Sequence, residues 1–102
     1  MPAQVKLQWT HVPVEGVTQE LQRKIGTESY QTILYDGSIS ANENVTNGWV
    51  ATDSADYAET TEVSYRILIN NGSYSVPSNE VVLTINATPI GVNDLSAEIV
   101  VE

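Results

Sequence analysis

Four carboxylates, Asp53, Asp56, Glu59 and Glu62, crowd one short stretch of this chain. Carboxylates held close together can divide acid and base work, and several oxygens from one loop can hold Ca²⁺. Acids in a turn-rich segment are, as a rule, solvated, and this stretch has no EF-hand spacing. Asp53 and Asp56 therefore stand only as weak calcium candidates, and no catalytic pair is assigned. The single histidine, His11, sits in a loop without a nucleophile motif near it. Gly-rich phosphate loops and zinc-ligand spacings are missing, and there is no cysteine to supply a thiolate. The expectation is a chain that is not an enzyme and carries no cofactor.

Charge narrows the partners. The net charge is −9, and the bases are Lys6, Arg23, Lys24 and Arg66 alone. Nucleic-acid affinity comes from cations neutralising phosphates, so a nucleic-acid partner is not expected. An anionic membrane surface is disfavoured for the same reason. No apolar run reaches the length of a membrane span. Residues 1–10 lack the charged and then apolar regions of a secretory signal. Between Ile25 and Tyr65 there are seven acids and no base. Such a stretch keeps monomers soluble or presents an acidic face to a basic partner or to Ca²⁺.

The elements that would position any site read as strands. Val63, Tyr65, Ile67 and Ile69 alternate with polar or outward residues, the period of a strand with one buried face. Asn70-Asn71-Gly72-Ser73 supplies a turn, and Glu80–Ile85 a second strand. Pro77 lacks an amide for a ladder and belongs at a strand start or edge. Val5, Leu7 and Trp9 alternate with Lys6 and Gln8 in a first strand. Thr18–Ile25, between Gly16 and Gly26, reads as a strand with Leu21 and Ile25 inward. Tyr30–Tyr35 is rich in β-favouring residues. Asp36–Gly48 reads as a long loop, and Trp49–Thr52 as a short strand. Trp9, Leu21, Ile33, Tyr65, Ile67 and Leu83 are the expected core. Short strands at regular spacing, with turns between, point to an all-β sandwich.

These residues resemble a fibronectin type III domain over about residues 4–85. Trp9 is similar to the tryptophan closing that family's second strand. Leu21–Lys24 resembles its third strand, and Ser29–Ile33 the next strand of bacterial members. Tyr65-Arg66-Ile67 and Ser75–Ser78 resemble the penultimate strand and the approach to the last. The resemblance implies an immunoglobulin-like sandwich that binds, spaces or displays. Two departures stand out. Val63 occupies the position of the family's capping tyrosine. The family's first strand is missing, with only Met1–Gln4 ahead of the second.

The domain organisation expected is a sandwich over 1–87 and a C-terminal tail over 88–102. Pro89–Ala97 resembles the linker and first strand of a following repeat. Ile90, Val92, Leu95, Ile99 and Val101 would leave apolar side chains in water if the tail stayed free. The tail is expected to add a strand to another chain or to its own domain; the alternative is a linker from a longer protein. The functional expectation is a structural or assembly module, such as a bacteriophage capsid, tail or fibre protein located in the virion. Its partners would be further copies or virion neighbours. The alternative is a spacer, adhesion or carbohydrate-binding module of an extracellular bacterial protein, with Tyr30, Tyr35, Trp49, Tyr57 and Tyr74 as candidate sugar contacts. Asn44, Asn71 and Asn86 open N-glycosylation triplets, as chance allows in a chain rich in Asn and Thr.

Overall fold

The computed structural model describes residues 4–87 and 95–101. Eight strands follow in order: β1 Gln4–Thr10, β2 Thr18–Ile25, β3 Gln31–Leu34, β4 Ser40–Asn42, β5 Gly48–Ser54, β6 Thr61–Asn70, β7 Ser75–Pro77 and β8 Val81–Ile85. They form two antiparallel sheets, one ordered β1-β5-β4 and the other β3-β2-β6-β7, with β8 also on β6. The architecture is all-β and consistent with a β-sandwich.

The core lies between the sheets. Leu21, Val63, Tyr65 and Ile67 face Ala51, with Val5, Leu7 and Trp9 packed against them. Odd-numbered residues of β2 and β6 supply this face, as period-2 alternation requires. The even residues form a polar outer layer. Gln22 accepts from Arg66 Nε at 2.8 Å and donates to Thr32 Oγ1 at 3.2 Å. The Arg66 guanidinium stacks 4.0 Å from the Tyr30 ring centroid, with Lys24 on the same ring at 5.3 Å. This layer explains why Gln22 and Ser64 are buried although they point away from the core.

Two segments depart from expectation. Residues 36–48 are not one loop: a 3-10 turn, Asp36–Ser38, leads into β4, which pairs with β5. The Asp36 carboxylate accepts the Gln19 amide at 3.0 Å and so ties this turn to β2. The strand at Trp49 is longer than expected and runs from Gly48 to Ser54. Gly48 is dictated by space, since a Cβ there would lie 2.7 Å from Val45 Cβ. The hairpin strand after the Asn-rich turn is also split. Pro77 interrupts the ladder, and Ser78 mends it: its Oγ accepts the Ile67 amide at 2.8 Å while its own amide donates to the Ile67 carbonyl at 2.7 Å.

Burial corrects part of the expected core. Leu21, Tyr65 and Ile67 are buried, but Trp9, Ile33 and Leu83 are only partly covered. Trp9 lies on β1, and among the described residues β1 pairs with β5 alone. The β2–β6 ladder continues just past the end of β2, where Gly26 N–H donates to the Glu62 carbonyl at 2.8 Å. Residues 95–101 are exposed and form no strand with their own domain among the described residues. Ile90 and Val92 fall outside the described residues.

Candidate functional site

The acidic stretch is anchored at Asp53. Asp53 is turned inward between the sheets. Both of its oxygens lie 3.0 Å from Arg23 Nη1, and Oδ2 also accepts the Tyr65 hydroxyl at 2.7 Å. This bonded triad links β2, β5 and β6. Burial raises the Tyr65 hydroxyl pKa, and the bond to the negative Asp53 raises it further. Burial by itself would lower the Arg23 pKa, but the bond and charge of Asp53 outweigh that and raise it. Asp53 thus has little left to offer a cation. Among the described residues no group of three or more His, Cys, Asp or Glu is placed to hold a metal. On the outer face, burial and the hydrogen bond to Glu80 push the Tyr30 hydroxyl up to about 12.

His11 acts through its backbone. Its amide donates to the Asn47 carbonyl at 3.0 Å, and its carbonyl accepts Trp49 Nε1 at 2.9 Å. The candidate sugar-binding aromatics have other settings. Tyr30 is covered by the two cations above, while Trp49 and Tyr57 are partly buried. Tyr35 and Tyr74 are exposed, one ahead of the 3-10 turn and the other in the hairpin turn.

What remains is a cleft of about 400 Å³ where the two sheets part beside β1. Its walls are Leu7, Trp9 and His11 on one side, and Tyr65, Ile67, Ile69, Ser78 and Val81 on the other, with Leu21 also lining it. Gln8, Thr10, Arg66 and Asn79 line it too, so the cleft is part apolar and part polar. Trp9 Nε1 crosses the gap to Gln19 Oε1 at 2.8 Å and fixes its width at that end.

The cleft runs along an edge of β1 that pairs with no strand among the described residues. In an antiparallel pair, residues bonded to the partner alternate with residues whose amides and carbonyls face the other way. The His11 amide bonds to Asn47, in register with Trp9↔Trp49 and Leu7↔Ala51. The odd residues of β1 therefore bond to β5. The amides and carbonyls of Gln4, Lys6, Gln8 and Thr10 face the open edge. An edge strand left so is a template for another strand.

No family model, curated protein or solved structure matches the chain. The cleft was not legible in the sequence, because it is built from residues far apart in it.

Proposed function

We propose that the chain is a non-catalytic assembly module, with a fibronectin type III-like sandwich that recruits its neighbour by strand addition at β1. The observation that carries this reading is the β1 edge, unpaired among the described residues, beside a cleft to which Leu7, Trp9, Ile67 and Ile69 give an apolar part. Strand addition gains main-chain hydrogen bonds along the edge and side-chain burial in the cleft. The strand order β3-β2-β6-β8 beside β1-β5 supports the fibronectin-like assignment. Repeated addition between identical chains builds a filament or ring rather than a closed dimer. A repeating array such as a phage capsid, tail or fibre is the setting we assign to it.

Sedimentation velocity across micromolar concentrations tests the reading. Species growing beyond the monomer as concentration rises are expected, and Gln8→Pro is expected to abolish them by removing an edge-facing amide. A monomer at every concentration would overturn self-assembly.

A further inference from the structure

The geometry points to residues 95–101 of a second copy as the strand that fills this edge; the inference rests on the assembly reading above. The tail has the right pattern. Leu95, Ala97, Ile99 and Val101 fall on one face of an extended segment, and Ser96, Glu98 and Val100 on the other. Leu95 and Ile99 are 90% and 92% exposed, so the apolar face is uncovered in the single chain. The acceptor has the matching pattern: Val5, Leu7 and Trp9 pack against the core, Leu7 and Trp9 also line the cleft, and Lys6 and Gln8 are exposed.

Charge sets the register. Lys6 is the only charged residue of β1, and Glu98 the only one of residues 95–101. Both lie on the outward face. Antiparallel pairing with Glu98 opposite Lys6 puts Ser96 opposite Gln8, Leu95 beside Trp9, Ala97 beside Leu7 and Ile99 beside Val5. The even residues of β1 then exchange two main-chain bonds with each opposing tail residue.

Direction selects a second copy over the same chain. The Trp9–Gln19 bond sets the end of β1 level with the start of β2, and so with Ile69 near the end of β6. The Tyr65–Asp53 bond sets the start of β1 level with Tyr65, where β8 begins. β8 runs on to Ile85, opposite Thr61, so the chain leaves the sandwich at the end where β1 starts. Turning back into its own cleft, the tail would run parallel to β1. A tail arriving from a copy stacked at the far end enters beside Thr10 and runs antiparallel, as do all strand pairs within each sheet.

The test uses full-length single-cysteine variants, which have no native thiol to confuse them. Opposed residues in this register have Cα atoms about 5.5 Å apart, within the reach of a disulfide. Lys6→Cys mixed with Glu98→Cys under mild oxidation is expected to give a covalent dimer at least about tenfold faster than Lys6→Cys mixed with Ser96→Cys, whose sites lie one pair further along. Lys6→Glu is expected to weaken association at least about threefold, and adding Glu98→Lys to restore it. If the unmodified chain assembles but the two mixtures cross-link equally fast, the tail is not the donor, while assembly stands. If a chain carrying both cysteines closes on itself when dilute, the donor is its own tail, and the inference is overturned. If the unmodified chain stays monomeric, both readings fall.

Discussion

β1 and β6 carry the same sequence signal and meet different fates. Each places apolar residues at every second position, Val5, Leu7 and Trp9 in β1 and Val63, Tyr65, Ile67 and Ile69 in β6. In β6, Val63 and Tyr65 are 0% and 1% exposed, whereas Val5, Leu7 and Trp9 of β1 are only half-buried. The difference is position in the sheet. Among the described residues, β6 is flanked by β2 on one side and by β7 and β8 on the other, while β1 has β5 alone. Alternation says which face of a strand is apolar. It does not say whether neighbours exist to close over that face.

The comparison breaks first at the centre. Tyr65→Ala is expected to cost about 3–5 kcal/mol, the range for large buried aromatics, because it empties the core and strips Asp53 of a partner. Chemical denaturation measures it, and a loss under about 1 kcal/mol would mean that β6 is not the core strand. Arg23→Ala is expected to cost about 2–3 kcal/mol, since Asp53 stays inward without its cation. Trp9→Ala is expected to cost only about 2 kcal/mol in dilute monomer, below the range for a fully buried tryptophan. The loss should grow with concentration as assembly buries the indole.

A pH series sharpens the same contrast. The Tyr65 pKa is raised in the fold, so above about pH 10 the unfolded chain loses this proton while the folded chain keeps it. Stability is then expected to be flat below that pH and to fall as pH rises through the folded value. Tyr30 adds a weaker trend of the same sign from a more exposed position. Tyr65→Phe should flatten most of the alkaline slope in denaturation curves run from pH 8 to 11. An unchanged slope would remove Tyr65 as its source.

The smallest effect is the most discriminating. Gln8→Pro is expected to cost the monomer under about 1 kcal/mol, because the amide it removes faces no strand. Leu7→Pro, one residue earlier, removes an amide bonded to β5 and should cost about 3 kcal/mol or more. Equal costs in thermal or chemical unfolding would mean that β1 is paired on both sides, and a larger cost for Gln8→Pro that its bonding phase is reversed.

Much of the architecture follows from local pattern. The strands of Val5–Trp9, Thr18–Ile25 and Val63–Ile69 were legible from alternation, and the hairpin turn from Asn70-Asn71-Gly72. The turn forms as those residue types suggest: Asn71 Oδ1 accepts the Ser73 and Tyr74 amides at 2.9 and 2.8 Å, and Gly72 takes φ +93. β4 was not legible, because Ser40-Ala41-Asn42 has no apolar period and is a strand only by pairing with β5. The inward turn of Asp53 was hidden too. Nothing beside it in sequence announces Arg23 or Tyr65, so it looked like one more solvated acid.

By itself the sequence determined the all-β class, the turns, the inward faces of the main strands and the apolar face of the tail. These depend on steric and hydrophobic preferences that act over a few residues. Only the tertiary structure decided which strands are central and which edge is left open, where the sheets part into a cleft, and that Asp53 belongs to an interior bonded triad. Those outcomes depend on contacts between residues tens of positions apart, and no short-range pattern encodes them.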